Sequence, residues 1–398
     1  MESALSGLRV LDLSLDIPGS YCAGVMAGLG AEVIKVEPLE GDLCRREGPF
    51  LHDDPHPEKS GLFLYVNQGK KSITLNLETE PGQKILRQLL PDADVVVESF
   101  APGYLTRLGL DYSHMETINP RLVLVSVTPF GQDGPYQSWQ GTELVEYALS
   151  GQLYGMGDQD KEPLKTGGSV TQFYAGQLAF NAALTAVLCR ETTGMGQHVD
   201  LAITEAIASM GEHATSAYAF SGQPSSGRSS EQSRGGAQGQ YWCQDGYVQI
   251  TPGRGEVTME ILAEITKTPQ LMDPRFATSA GRIEHKAEID RLIQPWLSTH
   301  TKLEIYQMGQ ERRLLFGYPC TAEDLMNSPQ FQHREYFVEV DHPVAGILKY
   351  PGAPFKLSDT PWEADRAPLL GEHNEEIYRG HLKYTKDELV LLRAHGVI

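Results

Sequence analysis

Carboxylates are the most abundant side chains in this sequence that could carry out chemistry. The chain of 398 residues contains 52 aspartates and glutamates. Their abundance means that each one taken singly says little; one of them, Glu143, lies between Gly141 and an apolar stretch, LVEYALSG. A carboxylate in apolar surroundings can act as a general base when its pKa is raised towards the working pH. Glu143 is therefore a candidate catalytic residue.

Other signatures of catalysis or ligand binding are missing from the sequence. It contains no G-x-S-x-G elbow, no P-loop and no H-E-x-x-H motif. The 12 histidines and five cysteines lack metal-ligand spacing, so no metal site is predicted. His198 follows a tight turn and is interpreted as a structural polar group. The early glycines do not match G-x-G-x-x-G and are interpreted as contacts of a close-packed helix: Gly19, Gly24, Gly28 and Gly30.

The overall negative charge of the chain limits the kinds of molecule that it is expected to bind. The 52 acidic residues outnumber the 33 basic ones, for a formal net charge of -19. Such a surface repels phosphate backbones and anionic lipids, which argues against nucleic acid and membrane as partners. No apolar run approaches the ~20 residues that span a bilayer, and no signal peptide is visible at the N-terminus. A cytoplasmic protein with reduced cysteines is predicted.

Strands alternate with helices along the first part of the chain. Strand-like runs occur at 8–14, 32–37, 93–98 and 121–127, and helical patterns cover 19–30 and 81–90. This alternation predicts βαβ units and a parallel sheet. Further along, a helix is predicted over 176–190, a strand over 198–203 and a final helix over 386–394.

A change in composition divides the chain. Residues 221–240 are rich in Ser, Gly, Gln and Arg and are predicted to form a flexible linker. Residues 1–220 then form the N-terminal part of a large domain, and residues 241–325 form a small domain.

Six segments resemble family III CoA-transferases, the CaiB/BaiF family. They occur in order over the first half of the chain: Gly7–Ser14, Gly28–Pro38, Asn67–Ser72, Val96–Gly103, Phe130–Tyr136 and Arg190–Asp200. The resemblance implies an α/β fold, with a Rossmann-like parallel sheet in the large domain and a smaller α+β domain. It also implies that residues 326–398 return to the large domain and that the subunits form an interlocked dimer.

The resemblance further implies an activity. Members of this family move CoA from one carboxylic acid to another, and a catalytic Asp takes the acyl group as a mixed anhydride. CoA or an acyl-CoA is then a substrate, and no permanently bound cofactor is expected. In this sequence, the position of that Asp holds Gln172, four residues before Gly176. An amide can donate a hydrogen bond to a carboxylate, but it carries no charge for nucleophilic attack.

The resemblance also assigns candidate ligand contacts. The positions that meet CoA in the family hold Leu75, Ser99, Phe100, Arg107 and Leu108, and Arg107 is suited to a phosphate. Gly235 and Gly236 correspond to a mobile glycine-rich loop over the active site, or alternatively belong to an ordinary flexible linker.

Three hypotheses follow. The chain is a CoA-transferase subunit that lacks the nucleophilic Asp, working as a homodimer or as a heteromer with a homologous Asp-containing subunit. Alternatively, it is an acyl-CoA isomerase, racemase or lyase in which Glu143 is the base. The third hypothesis is a non-catalytic CoA-binding assembly subunit.

Overall fold

The structure is a computed structural model that describes residues 3–158, 160–224, 235–251 and 257–398. Two compact units are distinguished by their internal contacts. The first consists of Met1–Tyr154, Lys165–Gly222 and Gln332–Ile398, and the second of Gly155–Leu164 and Gln223–Phe331.

A six-stranded parallel sheet forms the centre of the first unit. Its strands are β1 (Arg9–Asp12), β2 (Glu32–Glu37), β3 (Lys71–Thr74), β4 (Val95–Glu98), β5 (Val123–Thr128) and β6 (His198–Ala202). They lie side by side in the order β3-β2-β1-β4-β5-β6, which is the order of a Rossmann sheet. The predicted fold class is therefore confirmed, and the interlocked dimer stays a prediction.

Helices surround this sheet and make up much of the second unit. The first ten are α1 (Ile17–Gly28), α2 (Gly61–Val66), α3 (Glu80–Leu89), α4 (Tyr104–Arg107), α5 (Tyr112–Ile118), α6 (Glu143–Leu149), α7 (Gln152–Gly155), α8 (Val170–Thr193), α9 (Ile203–Ala208) and α10 (Glu212–Ser221). The others are α11 (Val257–Thr266), α12 (Ser279–Glu284), α13 (Lys286–Leu297), α14 (Lys302–Glu311), α15 (Ala322–Met326), α16 (Pro329–His333) and α17 (Lys386–Ala394). A π-helical segment, Glu375–His381, precedes α17.

Two small antiparallel sheets complete the strands. The second unit contains β7 (Gly239–Trp242), β8 (Tyr247–Thr251) and β9 (Leu315–Gly317), paired in that order. The first unit contains the hairpin of β10 (Phe337–His342) and β11 (Gly346–Pro351). Of the predicted linker, residues 225–234 lie outside the described residues, and residues 235–240 belong to the second unit.

Both faces of the parallel sheet are covered by helices. Val10 of β1 packs in a core with Ala23 of α1 and Ala179 of α8. The next residue, Leu11, faces the opposite core, which contains Ile85 of α3 and Leu389 of α17. This two-sided burial is typical of parallel sheets and explains the nearly continuous apolar character of the strands.

Glycines let α1 pack closely against α8 and α2. A Cβ atom on Gly176 of α8 would lie 2.6 Å from the carbonyl oxygen of Pro18 in α1. A Cβ on Gly24 would lie 2.5 Å from the carbonyl oxygen of Val66. No other residue fits at these positions without a shift of the backbone, and the predicted close packing of α1 is confirmed. The contact also positions Gln172, which lies one turn before Gly176 on α8.

A cluster of buried charges joins β1 and β2 to the chain segment before β3. Lys70 Nζ lies 2.7 Å from Asp12 Oδ2, and Lys35 Nζ lies 2.6 Å from Asp42 Oδ2 and 3.4 Å from Asp12 Oδ2. All four side chains are 0% exposed. Lys70 also donates to the carbonyl oxygen of Ser20 in α1, at 2.7 Å. Because their charges and donors are matched, these groups fix the geometry where β1 ends and α1 begins.

Several other sequence predictions can be compared directly with the structure. The final helix over 386–394 is confirmed, and its start is explained by a capping box between Thr385 and Glu388. The helix predicted over 176–190 is confirmed within the longer α8. All five cysteines are free thiols. No helix among the described residues is long and apolar enough to cross a membrane.

The buried cluster generates a stability prediction. Removing the Lys70 charge with Lys70→Met leaves the buried Asp12 carboxylate undercompensated, so we expect the free energy of unfolding to fall by about 3–5 kcal/mol. Urea unfolding followed by circular dichroism measures the loss. The matched control is Lys349→Met, because Lys349 is 52% exposed and pairs with Glu339 at 3.5 Å on the surface. A change within about 0.5 kcal/mol is expected there, and equal losses in both variants would contradict the buried-cluster account.

Candidate active site

The candidate site lies where the strand order of the parallel sheet reverses. β1 and β4 are neighbours in the sheet, and the chain leaves them in opposite directions. Open α/β sheets bind ligands at the carboxyl ends of their strands at such a point. β1 continues into Leu15 and Asp16, and β4 continues into Ser99 and Phe100. The two loops are joined by a hydrogen bond of 3.2 Å from the Leu15 amide to Ser99 Oγ.

A cavity of about 270 Å³, here called the aromatic cavity, lies on one side of these loops. Its lining includes Leu15, Pro38, Leu75, Glu78, Phe100 and Tyr104. The rings of Phe100 and Tyr104 stack with centroids 4.5 Å apart. Three residues that were predicted to contact CoA thus fall together: Leu75 and Phe100 line the cavity, and Ser99 holds the loop beside it.

The other two predicted CoA contacts have different surroundings. Leu108 is buried in the hydrophobic core. Arg107 pairs with Glu78 through two hydrogen bonds, of 3.0 Å to Oε2 and 2.8 Å to Oε1. The Arg107 and Glu78 side chains are 58% and 52% exposed. Glu78 therefore competes directly with any phosphate for the Arg107 guanidinium.

A second cavity of about 260 Å³, here called the acidic cavity, shares Leu15 with the first. Its polar lining includes Asp16, Glu143, Glu146 and Gln172. Both predicted catalytic positions, Glu143 and Gln172, are thus brought together. No cluster of His, Cys, Asp or Glu suited to a metal ion occurs in the part of the chain that the structure describes.

Glu143 begins α6 and is held by several donors. Lys165 Nζ lies 3.2 Å from its Oε1, and the backbone amide of Thr171 donates to the same oxygen at 3.3 Å. The Thr171 hydroxyl donates to Oε2. Both oxygens are therefore occupied by ion pairing or hydrogen bonding. This arrangement suits an anchor between α6 and α8, and the role of Glu143 as a general base stays a prediction.

Glu146 lies one turn further along α6 and faces Gln172. The Gln172 side-chain amide donates a hydrogen bond to Glu146 Oε2, and the Thr171 hydroxyl lies 3.4 Å from the same oxygen. Glu146 is 1% exposed. Burial, and then the negative charge of Glu143, raises the pKa of Glu146 to about 7 against the opposing effect of these two hydrogen bonds. A carboxyl group that titrates near neutral pH thus lies beside the predicted catalytic position.

Asp16 is the other carboxylate of the acidic cavity. Its Oδ1 atom is buried and has no hydrogen-bond partner in the described ranges. Burial, followed by the negative charge of Asp42, raises the pKa of Asp16 to about 7, although a hydrogen bond with Ser99 opposes the rise. Perturbed carboxyl groups in a cavity are characteristic of functional sites.

Asp16 and Glu146 were not predicted from the sequence. Two signals were available: Asp16 lies between the predicted strand over 8–14 and the helix that follows, and Glu146 is three residues after Glu143. Residues three apart on a helix share one face, so the E-x-x-E spacing predicts two carboxylates that point the same way. Because the chain contains 52 aspartates and glutamates, this spacing alone did not distinguish Glu146 from other carboxylates.

Gly235 and Gly236 lie in the second unit. A Cβ on Gly236 would lie 2.6 Å from Ile289, and the Gly236 amide donates to the carbonyl oxygen of Arg282 at 2.8 Å. Both glycines are buried. Their role as a loop over the site stays a prediction.

The chain is similar to known proteins over almost its whole length. A model of CoA-transferase family III matches residues 5–374. Formyl-CoA:oxalate CoA-transferase of Streptomyces avermitilis is 34% identical, with 100% of both chains covered. The BbsE subunit of succinyl-CoA:(R)-benzylsuccinate CoA-transferase from Thauera aromatica is 33% identical, with 99% of this chain and 98% of that protein covered.

A solved structure shows the same fold. The crystal structure of a CAIB/BAIF family protein from Brucella suis superposes with a TM-score of 0.84 and 28% identity. The match covers 96% of this chain and 100% of that chain.

The Arg107–Glu78 pair generates a binding prediction. Glu78→Gln removes the competing carboxylate, so Arg107 becomes available to an anionic ligand and the affinity for CoA should rise about three- to tenfold. Isothermal titration calorimetry with CoA measures the change. Arg107→Gln in the Glu78→Gln background is the control and should cancel the gain. An affinity that does not change in Glu78→Gln would remove Arg107 from the CoA site.

Proposed function

This chain belongs to CoA-transferase family III, and we propose that it moves CoA from an acyl-CoA thioester to a second carboxylic acid. The relatives described above are named as CoA-transferases that use formyl-CoA with oxalate and succinyl-CoA with benzylsuccinate. The observation that carries the proposal is the pair of adjoining cavities at the switch point of the sheet, which share Leu15 as a common wall.

The two cavities differ in polarity, and each suits a different part of an acyl-CoA. The aromatic cavity offers stacked rings and aliphatic side chains, which suit the methylene and methyl groups of the long arm that carries the thioester. The acidic cavity offers carboxyl and amide groups, which suit the reacting carbonyl and the exchange of one carboxylate for another. CoA is a substrate in this proposal and not a permanently bound group.

Replacement of an aromatic side chain tests where CoA binds. Phe100→Ala removes the stacked ring from the aromatic cavity, so we expect the Kd for CoA to rise about tenfold. Calorimetry with CoA measures affinity, and mass spectrometry follows CoA transfer from formyl-CoA or succinyl-CoA to a panel of carboxylic acids. The control is Phe220→Ala, because Phe220 is 93% exposed and lines neither cavity.

Equal affinities for CoA in Phe100→Ala and Phe220→Ala would contradict this assignment of the cavity. Tight binding of CoA without transfer to any acid would instead support the hypothesis of a non-catalytic assembly subunit.

Gln172 also raises the question of a partner chain. The Thauera relative is named as one subunit of a transferase, which motivates a two-chain form in which this chain is the subunit that lacks the nucleophilic Asp. In this form, a homologous Asp-containing chain completes the enzyme. Size-exclusion chromatography after co-expression with such a homologue should then give a mixed complex, and transfer should require both chains. Full activity of the purified chain alone would reject the two-chain form.

A further inference from the structure

The Glu146 carboxylate lies close to position 172, where the resemblance to the family leads us to expect an Asp. The side chain at position 172 is an amide, and its nitrogen donates a hydrogen bond to Glu146 Oε2. Both side chains line the acidic cavity. The carboxylate of Glu146 is thus one hydrogen bond away from the end of side chain 172, and it is provided by α6 instead of α8.

Glu146 occupies a position that does not favour a negative charge. Its residue is 1% exposed, and Glu143 contributes a second negative charge on the same helix. No lysine or arginine in the described part of the chain forms an ion pair with it, and its hydrogen bonds come from the neutral groups of Thr171 and Gln172. A buried carboxylate without a cation is costly for stability. A role in binding or chemistry explains why such a group is present in a cavity.

We propose that Glu146 is the carboxylate that accepts the acyl group in this chain, and that Gln172 is its positioning residue. This inference rests on the proposed function as a CoA-transferase. It differs from the two-chain form, because the chain then supplies its own nucleophile.

The chemical step balances without any additional reagent. A carboxylate oxygen of Glu146 attacks the thioester carbonyl carbon, and the carbon–sulfur bond breaks with its electron pair leaving on the CoA thiolate. The product is a mixed anhydride between the acyl group and Glu146. The thiolate then attacks the glutamyl carbonyl carbon, which releases the first carboxylic acid as its carboxylate and forms a glutamyl–CoA thioester.

The second half of the exchange reverses these events with the other acid. The acceptor carboxylate attacks the glutamyl–CoA carbonyl carbon and expels the thiolate. The thiolate attacks the acceptor's carbonyl carbon in the new anhydride, which forms the new acyl-CoA and frees Glu146. No proton or electron is consumed overall.

The amide at position 172 fits this assignment. Two carboxylates within hydrogen-bond distance repel each other, and one of them is then held protonated. An amide at 172 avoids that repulsion, and its N–H group orients the Glu146 carboxylate. The close contact of α8 with α1 at Gly176 fixes the backbone from which Gln172 extends.

Chemical trapping and an isosteric substitution test the proposal on the full chain purified alone. The wild type is mixed with formyl-CoA or succinyl-CoA, and the reaction is quenched with hydroxylamine. Hydroxylamine converts an anhydride or thioester on a side chain into a hydroxamate. Peptide mass spectrometry should locate the hydroxamate on Glu146. Glu146→Gln should lower CoA transfer by about a thousandfold or more, with an unchanged Kd for CoA. Glu335→Gln is the control, because Glu335 is 87% exposed and lines neither cavity.

A carboxylate swap separates the possible failures. Glu146→Ala alone should be inactive, and Glu146→Ala with Gln172→Asp should regain at least about a tenth of wild-type transfer, since the carboxylate returns to α8. Transfer by the double variant but not by the wild type would overturn the role of Glu146 and leave the proposed function standing. A hydroxamate on another carboxylate, or transfer retained in Glu146→Gln, would also overturn it. Transfer by neither the wild type nor the double variant would overturn the role of Glu146, and the proposed function would also fall if co-expression with an Asp-containing homologue gave no transfer either.

Discussion

The buried contact between Asp12 and Lys70 is the interaction on which the site geometry depends. Asp12 is the last residue of β1, and Lys70 precedes β3 on the far side of β2. Lys35 of β2 lies between them and also reaches Asp42. Because these charges are fully buried, their geometry is strongly constrained, since any displacement leaves a charge without a partner. The end of β1, the middle of β2 and the start of β3 are thereby held at fixed positions.

The loop that carries the site begins at this cluster. Lys35 and Lys70 donate to backbone carbonyl oxygens of Ser14 and Ser20, which bracket Leu15 and Asp16. Leu15 then forms the wall between the aromatic and acidic cavities. On the other side of α1, Gly176 allows α8 to approach closely enough for Gln172 to reach the acidic cavity. Strand ends, a loop and two helices thus meet in one place because charge pairing and glycine packing act together.

Charge is distributed in the site in a way that the net charge of -19 does not reveal. Glu78, which lines the aromatic cavity, is already paired with Arg107. In the acidic cavity, Glu143 has Lys165 as a partner, whereas Glu146 and Asp16 are contacted by neutral donors. Neither Glu146 nor Asp16 forms an ion pair among the described residues, and burial raises the pKa of each to about 7. Desolvation therefore distinguishes Asp16 and Glu146 from the many surface carboxylates of this chain.

Much of the fold and part of the site could be predicted from local patterns in the sequence. The alternation of β1, α1 and β2 and the limits of α17 follow from apolar runs, small residues and capping residues, which act over a few neighbouring positions. The resemblance to the family, with its spacing to Gly176, placed Gln172 where an Asp is expected. Glu146 and Asp16 could not be distinguished from the other carboxylates, because burial depends on which segments pack over them. The pairing of Arg107 with Glu78, and of Gln172 with Glu146, joins residues that are distant in the chain, so these contacts exist only once the sheet and its helices have assembled.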